Sequence, residues 1–259
     1  MPGLFDVRDK TILVTGASQG IGRSLALGLN ELGARVLAHG PDAESLAELA
    51  PVLGTRPVVA DFTEADAAAQ VAAQLNGIRA LDGIVNNAGI ELAESRSGPT
   101  LDAFARTMAV NAYAPVALTL ALLPKLRLAT SPSVVAISSI HQDVPYPFRV
   151  AYGASKAALA SETATLAVQL AGDGIRVNAI APGAIETDIN RHVIEAFGRD
   201  HFERKIPLER VGAASDVLGA VVFLLSPASS YVTGAFLHVD GGLRHSVVDY
   251  AEPAVDPVR

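Results

Sequence analysis

Seven short apolar runs recur along the 259 residues, at 11–15, 34–39, 56–60, 81–86, 133–138, 175–180 and 235–239. They include TILVT, LDGIVN and SVVAIS, which are continuously apolar rather than alternating. That pattern belongs to strands buried on both faces. Helical patterns separate them, such as GRSLALGLNELG, TEADAAAQVAAQLNG and SDVLGAVVFLL. Strand-then-helix alternation predicts an α/β fold. The expected architecture is one doubly wound Rossmann domain over 1–243, with a mostly seven-stranded parallel sheet and helices on both faces. Residues 244–259 read as a polar C-terminal tail.

Composition closes off several classes. Half the residues are hydrophobic, enough for a large core. The net charge is -7 and only four lysines are present, so no nucleic-acid partner is expected. The absence of cysteine removes disulfides and Cys-ligated zinc, and no metal is expected. The first residues lack the apolar core of a signal peptide, and no run is long enough to cross a membrane. A cytoplasmic protein acting on a small molecule is expected.

The first strand runs into TGASQGIGRSLALGL. Gly16, Gly20 and Gly22 fall where the strand turns into a helix. Glycine lets backbone amides approach a pyrophosphate, and a helix N-terminus favours that charge. The spacing is Gly-x-x-x-Gly-x-Gly rather than Gly-x-Gly-x-x-Gly. Further on, Tyr152 and Lys156 are spaced four apart in YGASK, one turn apart on a helix face. A free tyrosine ionises near pH 10, and a neighbouring ammonium stabilises the phenolate.

These segments together resemble the short-chain dehydrogenase/reductase family. The resemblance runs from Thr11 to Gly242 and rests on TGASQGIG (15–22), NNAG (86–89), Asn111 in VNAYAP, Ser139 in ISS, YGASK (152–156) and PGAIET (182–187). It implies an enzyme that moves a hydride between a secondary alcohol or its carbonyl and a nicotinamide cofactor. The catalytic set it implies is Asn111, Ser139, Tyr152 and Lys156. Tyr152 exchanges the proton, and Lys156 holds the nicotinamide ribose. Ser139 polarises the carbonyl, and Asn111 positions a water that relays protons from Lys156. The implied cofactor residues also include Gly16, Ser18, Gln19, Gly20, Ile21 and Gly22 in the loop. They continue with Gly40 and Asp42, then Asp61 and Phe62 near the adenine, and Asn87, Ala88 and Gly89. Pro182, Gly183, Ile185 and Thr187 close the nicotinamide side.

The cofactor is NAD or NADP. At the end of the second strand the family carries Asp for NAD or Arg for a 2′-phosphate. Here the segment is AHGPD, with Gly40 and Pro41 at those positions and Gln19 in place of a loop cation. Without a cation from His39 or Arg23, the sequence favours NAD. Similarity to the family's sugar dehydrogenases, glucose 1-dehydrogenase among them, rests on NNAGIE, SSIHQDVPYP and PGAIETDIN. It implies substrate contacts from Glu91, His141 and Asn190, because each buried hydroxyl needs a partner. The segment 188–211 is expected to be a mobile substrate lid. The resemblance also implies a dimer formed by the helix expected at 101–127 and the Tyr152 helix pairing with their copies, and a second interface through the last strand, AFLHV, that makes a homotetramer. The rival readings are a 3-oxoacyl-carrier-protein reductase and a non-catalytic nicotinamide-binding protein.

Overall fold

The computed structural model describes residues 3–187, 191, 194–195 and 198–246. Seven strands form one parallel sheet in the order β3-β2-β1-β4-β5-β6-β9. They are β1 (Thr11–Val14), β2 (Arg35–Gly40), β3 (Val58–Val59), β4 (Gly83–Asn86), β5 (Ser133–Ile137), β6 (Arg176–Pro182) and β9 (Phe236–Val239). Each lies on one of the seven apolar runs. A second, two-stranded pairing joins β7 (Ile185–Glu186) to β8 (Gly212–Ala213), and the sequence carried no run long enough to reveal it.

Successive side chains of a strand point to opposite faces. Ile12 and Val14 enter one core with Leu25 and Leu29 of α1 (Gly20–Glu31) and Val221 of the helix Leu218–Leu225. Leu13 enters the other with Val71 of α3 (Ala67–Gln74), Leu118 of α5 (Ala114–Ala121) and Leu166 of α7 (Val150–Leu170). Ile12, Leu13, Leu25, Leu29 and Leu118 are fully buried, each contributing about 1.5–3 kcal/mol. This two-sided burial is why the runs are continuously apolar.

The chain leaves β1 toward β2 and β3, then returns to place β4 on the other side of β1. This reversal opens a crevice at the carboxyl ends of β1 and β4. Gly16, Asn87 and Ser139 follow β1, β4 and β5 in the chain, and Pro182 ends β6. The motifs scattered through the sequence therefore meet along one edge.

The single helix expected over 101–127 is not continuous. It divides into α4 (Leu101–Met108), a π turn at Ala109–Tyr113, α5, and α6 (Leu123–Leu126). Proline explains two of the breaks, since Pro115 and Pro124 stand at the starts of α5 and α6 and cannot donate a backbone hydrogen bond. Among the described residues, no helix is long and apolar enough to cross a membrane.

Candidate active site

The glycine loop is packed too tightly for side chains. A Cβ on Gly22 would stand 2.1 Å from the Gly16 carbonyl oxygen, and one on Gly16 would stand 2.8 Å from Ala88 Cα. Gly16 and Gly20 also have φ of +62° and +54°, which L side chains rarely adopt. Asn87 ties the loop to β4. Its Nδ2 donates to the carbonyls of Thr15 at 2.9 Å and Gly16 at 3.1 Å. The Thr15 hydroxyl accepts from the amides of Asn87 and Ala88 at 2.9 and 3.0 Å. Thr15 is a supporting residue that the motif reading passed over, although it begins TGASQGIG.

The residues present fit a dinucleotide. Gln19 stands at the N-cap of α1 with no side-chain capping bond, and the first turn has no acidic residue. The amides there are left for an anionic group, as a pyrophosphate requires. Ser18 is half-buried in the loop, Gln19 is exposed, and Ile21 packs against the core. Thr187 faces Gly20 across the loop: a Cβ on Gly20 would lie 3.3 Å from its Cγ2. The Gly183 amide donates to Val239 at 3.0 Å, and Pro182 and Ile185 are buried beside it.

Around the end of β2, several polar groups already have partners. His39 is 2% exposed and stacks on Phe62 at 4.3 Å. Its Nε2 meets the Ala60 carbonyl at 3.0 Å, which makes Nε2 the donor, and Nδ1 accepts from the Gly16 amide at 3.4 Å. Burial depresses its pKa to about 4, so it is neutral at pH 7. Arg23 pairs with Glu48 at 3.2 Å. Asp42 accepts from the Ser45 amide at 2.8 Å, and Asp61 from the Thr63 amide at 2.9 Å. A Cβ on Gly40 would lie 3.1 Å from both Leu46 Cγ and Ser45 Oγ, which leaves little room for a longer side chain.

The second cluster gathers on α7. Ser139 lies just beyond β5, and its hydroxyl accepts from the His141 amide at 3.1 Å. It also stands close enough to the Tyr152 phenol to favour its ionised form. Lys156 is buried, donates to the Ile137 carbonyl at 3.0 Å, and lies 5.7 Å from the centre of the Tyr152 ring. Asn111 is fully buried in the π turn. Its Oδ1 accepts from the Ile90 amide at 2.8 Å, while Nδ2 donates to the Ile90 carbonyl at 2.8 Å and to Ser155 Oγ at 3.0 Å. A Cβ on Gly89 would lie 3.3 Å from Asn111 Oδ1 and 3.5 Å from Lys156 Nζ, so Gly89 is where the two clusters meet.

Burial governs the two titrating groups here. It pushes the Tyr152 phenol up to about 12, against the influence of Ser139, with Glu91 adding to the rise. It brings the Lys156 amine down to about 8, opposed by Glu91. The spacing alone suggested a phenol lowered by its ammonium neighbour. In this structure burial is the largest influence on the phenol and raises it instead.

Three substrate-side expectations fare differently. His141 stacks on Tyr146 at 4.4 Å and meets the Tyr152 ring edge-on at 6.3 Å. Its Nδ1 lies 3.1 Å from the Val144 carbonyl, which leaves Nε2 as the acceptor in the neutral ring. Glu91 forms an ion pair with Arg149, whose guanidinium also lies 5.5 Å from the Tyr146 ring centre. Asn190 lies outside the described residues, as does part of the 188–211 segment. Of that segment, Arg199–Glu203 forms a short helix, and Arg191 and Arg199 both pair with Glu186.

The family model described as enoyl-(acyl carrier protein) reductase matches residues 16–244. The chain belongs to the short-chain dehydrogenase/reductase family. It is 36% identical to 3beta-hydroxysteroid dehydrogenase 1 of Eggerthella lenta over 255 residues, covering 92% of this chain and 95% of that protein. It is 36% identical to glucose 1-dehydrogenase of Gluconobacter oxydans over 253 residues, covering 90% of this chain and 91% of that protein. Among solved structures, it is similar to the Pseudomonas aeruginosa RhlG/NADP active-site complex. The TM-score is 0.88 at 31% identity, with 94% of this chain and 99% of that one covered. This short-chain dehydrogenase/reductase is thus an oxidoreductase of CH–OH groups that binds NAD or NADP.

Proposed function

We propose that the enzyme interconverts a sugar or polyol and its carbonyl product, using NAD. The observation that carries the chemistry is the single cluster of Ser139, Tyr152, Lys156 and Asn111 beside Gly89. A bound nicotinamide supplies the hydride acceptor or donor. In the oxidation direction the Tyr152 phenolate takes the hydroxyl proton of the substrate. In reduction the neutral phenol returns it to the carbonyl oxygen. Ser139 donates a hydrogen bond to that oxygen, and Lys156 holds the ribose. Asn111 serves the proton path through its backbone. Its side chain is fully engaged with Ile90 and Ser155, and residue 115 is proline, so the Asn111 carbonyl lacks the ordinary α-helical donor. That carbonyl is the atom we assign to the relay water.

The preference for NAD rests on the absence, among the described residues, of a ready cation near Gly40. His39 is neutral and buried, and Arg23 is engaged by Glu48. The sugar reading rests on the polar wall of Glu91, Arg149, Tyr146 and His141 next to Tyr152, and on the similarity to glucose 1-dehydrogenase. The acceptor Nε2 of His141 suits a substrate hydroxyl. We read the assembly as a homotetramer. Leu101, Tyr113, Val150 and Val168 leave apolar surface exposed on α4, α7 and the π turn, and β9 ends the sheet unpaired on one side among the described strands.

The test is a rate panel with glucose, galactose, other aldoses, polyols and simple alcohols, each with NAD and with NADP. Turnover of a sugar with NAD supports the proposal. Silence on all of them, with NADPH-dependent reduction of an acetoacetyl thioester, would replace it with an acyl-reductase reading.

A further inference from the structure

The helix that carries Tyr152 has no cap of its own. Arg149 occupies its N-cap without a side-chain capping bond, and no acidic residue lies in its first turn. Helix N-termini leave backbone donors that need partners. Two of them are met from far away in the sequence. Glu94 accepts from the Val150 amide at 2.8 Å through Oε2, and from the Ala151 amide at 2.8 Å through Oε1. A carboxylate at this end also suits the helix dipole. The preceding residue, Phe148, has φ +62°, a conformation unfavourable for a side chain of that size. The entry to α7 is therefore held by outside contacts rather than by its own turn.

Glu94 lies on the loop that follows NNAG, the same loop whose Gly89 and Ile90 meet Lys156 and Asn111. On that loop Glu91 grips Arg149, so two carboxylates hold consecutive residues at the start of the helix. Tyr152 is the third residue of α7, directly after the two clamped amides. One turn further, Ser155 is bonded to Asn111. We propose that Glu94 is a positioning residue: its bidentate clamp on the first turn of α7 sets where the Tyr152 phenol stands relative to Ser139. The inference rests on the proton-transfer role given to Tyr152 above. It adds a residue that none of the motifs contains.

The test compares Glu94→Ala, Glu94→Gln and Tyr152→Phe in the full chain. Hydrogen exchange at the Val150 and Ala151 amides reads the clamp without any substrate. Fluorescence of bound NADH reads cofactor affinity, and kcat is taken on whichever panel compound turns over fastest. In Glu94→Ala both amides should exchange faster, because they lose their acceptor. Its kcat should fall roughly 10- to 100-fold, the scale of a misplaced reacting group, with NADH affinity within about twofold. Glu94→Gln retains one acceptor oxygen and should recover most of that loss. If the alanine variant does not fold, the glutamine variant still decides. Partial loss of kcat with faster exchange at one amide supports the clamp, and wild-type kcat refutes it. Where both fold, equal losses in the two variants, or an effect confined to substrate KM, also refute it. If Tyr152→Phe turns over normally, the proton-transfer assignment fails first. If that variant is dead and Glu94→Ala is normal, the clamp alone fails.

Discussion

Adding one methyl group at Gly22 should disable cofactor binding. The new Cβ would lie 2.1 Å from the Gly16 carbonyl oxygen and 2.4 Å from Asn87 Nδ2. Ordinary contact needs more than 3 Å, so each group must retreat by roughly 1 Å. The Gly16 oxygen is backbone and cannot rotate away. Moving the Asn87 amide disrupts its bonds to the Thr15 and Gly16 carbonyls, now at 2.9 and 3.1 Å. Two such hydrogen bonds are worth about 1 kcal/mol each, and overpacking adds about 1–3 kcal/mol. The sum is about 3–5 kcal/mol, borne by the loop that must present its amides to a pyrophosphate. The loop relieves the clash only by leaving the geometry that presents its amides, so NADH should bind Gly22→Ala at least about 100-fold more weakly, since 1.4 kcal/mol is tenfold. Titration of NADH fluorescence measures this directly. Gly20→Ala is the comparison. Its Cβ meets only Thr187 Cγ2 at 3.3 Å, so it carries mainly the strain of φ +54°, about 1–2 kcal/mol. Wild-type NADH affinity in Gly22→Ala, or a larger loss in Gly20→Ala, would refute the steric reasoning.

Two further outcomes follow from the titrating groups. His39 is depressed from about 6.5 to about 4 in the folded chain, so the unfolded chain takes up the proton first as pH falls. Its contribution to stability is present above pH 6.5 and is lost between pH 6.5 and 4. The difference is worth about 3 kcal/mol. Urea unfolding of His39→Phe should therefore show a flatter fall than wild type in that window, and parallel curves would contradict it. Burial raises the Tyr152 phenol and keeps it protonated at neutral pH, so the proton that reduction needs is in place while the phenolate that oxidation needs is scarce. The oxidation rate should rise with pH through 8 and above, while reduction stays active at neutral pH. Oxidation that peaks near pH 6 would contradict this.

The main sheet was legible because its central strands are buried on both sides, so each is written as an apolar run. What could not be read was where helices break. The 101–127 stretch has one apolar pattern, yet Pro115, Pro124 and the π turn around Asn111 divide it. The site's position was visible in its motifs, because TGASQGIG, NNAG, ISS and PGAIET each end or follow a strand at the same edge, while YGASK and Asn111 reach it from helices. Its energetics were not. The Tyr152 and Lys156 shifts come from burial by residues distant in sequence, which a spacing of four cannot show. Asn87 lines the loop by bonding Thr15 and Gly16, a supporting contact that its place in NNAG leaves unspecified. Glu94 was invisible for the same reason: it caps a helix more than fifty residues away.

The most direct measurement is single-turnover hydride transfer in Tyr152→Phe, with NADH binding followed in the same samples. The phenylalanine keeps the ring that His141 and Lys156 face and removes only the hydroxyl on which Ser139 acts. The proposed mechanism predicts NADH affinity within about twofold of wild type and a rate at least about 100-fold lower, the scale of general acid–base catalysis. Hydride transfer at the wild-type rate would show that the proton moves through another group, and the assignment of the Ser139, Tyr152 and Lys156 cluster would fall.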